Sequence, residues 1–184
     1  MTAADAASSQ LGPVALAKRI AQAIEENDIS RLALLLARAP AQAIDGALIP
    51  QQPPLHAAAA RGRVDCLALL LLRGAAIDTL DREGRSALMV ALESANSDCA
   101  CELLKPAGVD VAAACANGQP LLHKAALRGL CSVVSILVER GAPIDATDLH
   151  GRTALHAGAH PDGAPLAAGL SQRHPHVPTT YRHL

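Results

Sequence analysis

Apolar residues along this chain fall in short bursts at helical spacing, most of them closed by a glycine. From Leu55 to Arg61 they lie on one side of a single short helix, which Gly62 stops. Glycine takes the left-handed conformation without steric penalty and so ends helices readily. Asp65 to Arg73 predicts a second helix with Cys66, Leu67, Leu70 and Leu71 at core spacing, ended by Gly74. The stretch from Ile77 to Gly84 is polar and turn-rich and predicts a projecting finger. The same order returns later: Leu122 to Arg128, Gly129, Ser132 to Arg140, Gly141.

The order is a true repeat. Leu55, Leu88, Leu122 and Leu155 recur at 33, 34 and 33 residues. Ile44, Ile77, Val111 and Ile144 keep the same three intervals. Gly84, Gly118 and Gly151 keep step with Gly74, Gly108 and Gly141, at 34 and 33. All four markers place one inserted residue in the same unit, near Pro106 and Ala107.

Several of these residues carry a resemblance. They are Pro54-Leu55-His56 with Ala58-Ala59, Asp81 before Gly84 and Ser86-Ala87-Leu88, and Leu122-His123 with Ala125-Ala126. Gly141-Ala142 and the run Asp148, Gly151, Thr153, Ala154, Leu155, His156 complete the set. From about residue 14 to 160 the chain resembles the ankyrin repeat family. The resemblance implies an all-α fold: an ankyrin-repeat solenoid of helix–turn–helix units with β-hairpin-like fingers. It also implies that the fingers and first helices line a concave protein-binding face.

The expected organisation follows. Residues 1–12 are read as a disordered N-terminus and 13–50 as a degenerate capping repeat, with Asn27 in place of the turn glycine. Repeats follow at 51–80, at 81–114 with the insertion, and at 115–147. Residues 148–172 are expected to form an incomplete last repeat, because Pro161, Gly163 and Pro165 interrupt its second helix. Residues 173–184 are expected to be a flexible tail.

Departures from the family pattern are informative. A hydroxyl at the start of each first helix caps a free amide, worth about 1 kcal/mol. Ser86 and Thr153 keep it, whereas Pro53 and Pro120 stand in that position elsewhere. Met89 replaces one of the repeated histidines. In the same unit Leu92 replaces a small alanine, and Ala95-Asn96 replaces the turn glycine. That unit is expected to be the least regular, with its second helix near Asp98 to Leu104 and its loop displaced.

Composition narrows the function. There is no Phe or Trp and one Tyr, so any core is aliphatic and single-strand nucleic acid finds no stacking platform. The formal charge of -1 gives no long-range pull toward nucleic acid or a membrane surface. No apolar run is long enough to span a bilayer, and no secretory signal is seen. Five unpaired-looking cysteines then suit an intracellular, cytoplasmic protein, with the nucleus also open. His56, His123 and His156 share one repeated position and are read as structural. Cys66 and Cys99 are read as packing residues, and Cys131 as partly exposed near a helix start, with mild acidification expected there. The tail histidines 160, 174, 176 and 183 are read as solvated rather than metal-binding. No phosphate loop, nucleophile elbow or helical zinc pair appears, so no enzyme, metal or cofactor is expected.

The resemblance assigns the working surface to Arg61, Arg82, Glu83, Arg85, Glu93, Lys124, Leu127, Arg128, Leu149, His150 and Arg152, with Ala57, Leu80, Val90 and Thr147 beside them. Six of these are basic and two acidic, which predicts a locally basic groove for an acidic helical segment or tail of another protein. The expected function is a monomeric protein–protein interaction module: an intracellular adaptor, scaffold or inhibitor that binds neither nucleic acid nor membrane. The alternative is a targeting or docking fragment that uses its C-terminal edge.

Overall fold

The computed structural model describes residues 12–37, 39, 44, 53–106, 109–112 and 118–158. Among these residues the fold is all-α. The helices are α1 (Pro13–Glu26), α2 (Ile29–Leu36), α3 (Pro54–Ala60), α4 (Val64–Leu72), α5 (Ala87–Glu93), α6 (Ser97–Leu103), α7 (Leu121–Leu127), α8 (Cys131–Glu139) and α9 (Ala154–Gly158). Two isolated antiparallel bridges, Leu80 with Ser86 and Thr147 with Thr153, close two fingers.

The chain divides into two compact units, Met1–Val90 and Ala91–Leu184. In the first, α1 packs on α2 and on α3, α3 on α4, and α2 on α4. First helices therefore lie against first helices and second against second. Ile20, Ile24, Leu32, Leu55, Leu67 and Leu70 are fully buried there. Asp28 caps α2, its carboxylate accepting the Arg31 amide at 2.9 Å.

The second unit repeats the arrangement with α7 on α8, α7 on α9 and α6 on α8. Its core includes Leu103, Leu104, Leu121 and Leu137. Leu92, which stands where other repeats carry alanine, is also fully buried. The Arg140 guanidinium donates to the carbonyls of Lys105 at 2.8 Å and Pro106 at 2.9 Å, tying α8 to the loop that carries the insertion. Residues 107, 108 and 113–117 of that loop lie outside the described residues, as do 1–11 and 159–184.

The helices read from the apolar pattern are present, each shifted one residue toward the N-terminus. Asp65 to Arg73 is observed as Val64–Leu72, and Ser132 to Arg140 as Cys131–Glu139. The cause is that Arg61, Arg73, Arg128 and Arg140 act as C-caps with ψ between 0° and 10°. They turn the chain toward the glycine that follows.

Four turns join first to second helices, and all use the left-handed region: Asn27 (φ 55°), Gly62 (φ 65°), Ala95 (φ 57°) and Gly129 (φ 66°). Asparagine and glycine tolerate this conformation, whereas alanine places its Cβ against the backbone. Ala95 holds it because the Ala95 amide reaches the Leu92 carbonyl and the Asn96 amide reaches that of Ala91. Replacing Ala95 with Gly keeps these bonds and removes the strain. Ala95→Gly is expected to raise stability by about 1 kcal/mol, read as a higher urea midpoint at unchanged slope; an unchanged or lower midpoint would count against a strained turn.

Candidate functional site: the fingers and first helices

Each described finger is built on one aspartate. Asp81 Oδ1 accepts the amides of Glu83 and Arg85, both at 2.9 Å. Its Oδ2 accepts Arg85 Nε at 2.9 Å and Nη2 at 2.8 Å. Asp148 does the same two repeats later: Oδ1 takes the amides of His150 at 2.8 Å and Arg152 at 3.0 Å, and Oδ2 takes Arg152 Nε at 3.0 Å and Nη2 at 2.8 Å. The backbone closes the loop, with Asp81 and Arg85 joined at 3.0 Å and Asp148 and Arg152 at 2.9 Å.

These bonds set the charge of the carboxylates. Burial alone would raise the Asp81 pKa, but the Arg85 and Glu83 amides and the Arg85 guanidinium bring it below the usual range. For Asp148 the Arg152 amide is the leading cause of a pKa held far below that range, with the Arg152 side chain and His150 amide adding to it. Both aspartates stay ionised at neutral pH and fix the bend of their fingers.

The base of each finger is attached to the preceding first helix by a histidine. His56 Nε2 donates to the Arg85 carbonyl at 2.8 Å, and His123 Nε2 to the Arg152 carbonyl at 2.7 Å. Both rings are buried, in keeping with the structural role expected of them. Cys66 and Cys99 are buried as well, and burial raises their pKa, that of Cys99 to about 11. Cys131 is exposed, with Sγ 3.5 Å from the Gly129 carbonyl. The tail histidines lie outside the described residues.

The expected surface residues separate into three groups. Leu80, Arg82, Glu83, Leu127, Arg128, Thr147, Leu149 and His150 are exposed, Leu149 at 80%. Arg61, Arg85, Glu93, Lys124 and Arg152 are held by neighbours. Arg61 pairs with Glu25 of α1 at 2.7 Å, Arg85 with Asp81 and Glu83, Lys124 with Glu93 at 3.2 Å, and Arg152 with Asp148. Ala57 and Val90 are corrections: they are buried, not part of a working surface. A seven-residue helix packed on α1 and α4 shelters Ala57, and Val90 lies in a stretch from Ala87 to Leu92 that is buried throughout.

Arg85 and Arg152 therefore serve their own fingers first. The spacing of four residues between each Asp and Arg was visible in the sequence but did not by itself show the ion pair. Glu25 is the residue missed: it binds Arg61 across a separation of 36 residues. Arg82 and Arg128 enter no ion pair among the described residues, so the basic character of these positions rests on them.

Comparison with known proteins identifies the family. Its model for ankyrin repeats in three copies matches residues 20–115, and a single-repeat model matches residues 117–146. The chain belongs to the ankyrin repeat family, and the repeats make it a protein-binding module. Among curated relatives it is 38% identical over 109 residues to the B-cell lymphoma 3 protein homolog of Mus musculus, covering 57% of this chain and 24% of that protein. It is 31% identical over 130 residues to the probable E3 ubiquitin-protein ligase XBOS31 of Oryza sativa subsp. japonica, covering 68% and 29%. It is 35% identical over 102 residues to the potassium channel AKT2/3 of Arabidopsis thaliana, covering 55% and 12%. The chain thus spans less than a third of each relative's length. No helix among the described residues is long and apolar enough to cross a membrane.

Asp81→Ala leaves two finger amides and a guanidinium without their acceptor, and is expected to cost about 2 kcal/mol at neutral pH. Because the folded-state pKa of Asp81 is lowered, its contribution is present above the unfolded carboxylate value of 3.8 and lost as pH falls through the folded value. The gap between wild type and Asp81→Ala in urea midpoint should therefore narrow as pH falls below 3.8 and close once it passes the folded value. A gap that stays constant into acid would show that the charge of Asp81 is not what holds the finger.

Proposed function

We propose that this chain is an interaction module, an adaptor, scaffold or inhibitor with no catalysis of its own, and that it holds a protein partner at its fingertips and first helices. One observation carries this reading. The base of each described finger is locked by an Asp, an Arg and a His, while Leu80, Arg82, Leu149 and His150 stand exposed beyond it. A rigid base with exposed apolar and basic tips suits binding, because little ordering entropy remains to be lost on contact.

The relatives support the same reading. A lymphoma protein homolog, a ubiquitin-protein ligase and a potassium channel share the matched repeats under names that share no chemistry. The partner we propose is an acidic segment. Carboxylates already neutralise Arg61, Arg85, Lys124 and Arg152; Arg85 serves both Asp81 and exposed Glu83, so what is left over is the cations Arg82 and Arg128 against one negative charge at the first fingertip, still a positive excess. The cytoplasm is the proposed location and a monomer the proposed state.

The experiment is affinity capture with the intact chain at about 0.05 M and 0.5 M salt, followed by a measured Kd for the captured partner. Arg82→Glu together with Arg128→Glu is expected to weaken binding at low salt by tenfold or more, with unchanged circular dichroism. Affinity that ignores both the paired reversal and the salt would rule out the acidic partner. A module that captures no protein at either salt concentration would count against the interaction reading itself.

A further inference from the structure

His56 and His123 occupy one repeated position and are enclosed, at 1% and 0% exposure. Each Nε2 meets a finger carbonyl, which only accepts, so Nε2 carries the ring hydrogen. In such a neutral ring Nδ1 is an acceptor. Nδ1 of both rings is buried and meets no hydrogen-bond partner among the described residues. The sequence supplies the reason. Pro53 and Pro120 stand where another repeat has Thr153, whose Oγ1 lies 2.7 Å from Nδ1 of His156. A hydroxyl serves either ring state, because it both donates and accepts. Proline serves neither.

We propose that His56 is an acid-released latch: adding a proton at Nδ1, which meets no hydrogen-bond partner among the described residues, loosens its finger from the helix that holds it. The latch is a property of the fold; its consequence, release of a bound partner on acidification, rests on the binding reading above. Met89 stands at the equivalent position of the intervening repeat, so that repeat has no such latch.

The charges around the His56 ring do not remove the cost. On the finger that His56 holds, Asp81 favours the charged ring and Arg85 opposes it. The helices packed on α3 bring Glu25 from α1, taken up by Arg61, and Asp65 and Cys66 from α4. For His56 burial outweighs the Arg85 carbonyl, Asp81 and the Thr79 carbonyl together, and lowers its pKa from the ordinary 6.5. A ring whose pKa falls on folding binds fewer protons folded than unfolded. Its contribution is present above 6.5 and drains away as pH falls below it. Asp81 and Asp148 stay ionised through this range, so the histidine step lies well above any carboxylate step.

Amide hydrogen exchange on the intact chain tests this, using protection of Asp81 and Gly84 in one finger and Asp148 and Gly151 in the other. Between about pH 7.5 and 5.5 the opening of the first finger should rise up to about tenfold, after correction for intrinsic exchange. Pro53→Thr should suppress this rise. His56→Met, which copies Met89, should abolish it. Both variants act on the first finger, so the second serves as the standard for any change common to the whole chain. Should His56→Met fail to fold, Pro53→Thr still decides the matter. Protection of the first finger that does not change between the two pH values, or a rise that persists in Pro53→Thr, would overturn the proposal.

Discussion

A helix of seven to nine residues shields almost none of its own apolar side, and everything else in this protein follows from that constraint. Helix formation in water is marginal at such lengths. Here every described short helix from α2 onward has at most nine residues. Stability must come from the neighbouring pair, and it does: α2 lies on α4 and α1 on α3, and in the second unit α6 lies on α8 and α7 on α9. Aliphatic side chains with few rotamers suit this contact, and the near absence of aromatics costs the packing nothing visible. Leu67 and Leu70 of α4, and Leu137 of α8, are fully buried.

With the rows held by packing, the fingers depend on polar geometry. One carbonyl, that of Arg85, accepts both the Asp81 amide and the His56 ring, and the carbonyl of Arg152 plays the same part for Asp148 and His123. Buried polar networks are stable when every member is satisfied and expensive when one is not. The two prolines leave one ring nitrogen unsatisfied at each site. They hold the helix start by restricting the chain rather than by accepting an amide, and neither α3 nor α7 has a side-chain cap bond.

Charge at the finger positions reads differently once its partners are known. Six basic side chains on a chain of formal charge -1 suggest a strongly basic face. Most of that charge is consumed inside the molecule, by Asp81, Asp148, Glu25 and Glu93. What remains for a partner is a mixed surface of exposed leucines with Arg82 and Arg128. A binding module gains specificity from such a surface, since each exposed side chain stands on a base that does not need to reorganise.

Residue spacing alone was enough to place the repeat, the helix pairs, the turn positions and the structural role of His56 and His123, whereas His156, given the same role, is exposed. These are legible because helical spacing and the left-handed turn are local properties of a few adjacent residues. The one-residue shift of each helix was not legible, because the arginine C-caps differ from ordinary helical residues only in backbone angle. Only tertiary structure decided that Ala57 and Val90 are buried, that Arg61 is bound by Glu25, and that Pro53 and Pro120 isolate a ring nitrogen. Each of these depends on groups brought together by packing or by finger closure, and contact between distant residues leaves no mark in the spacing of either one.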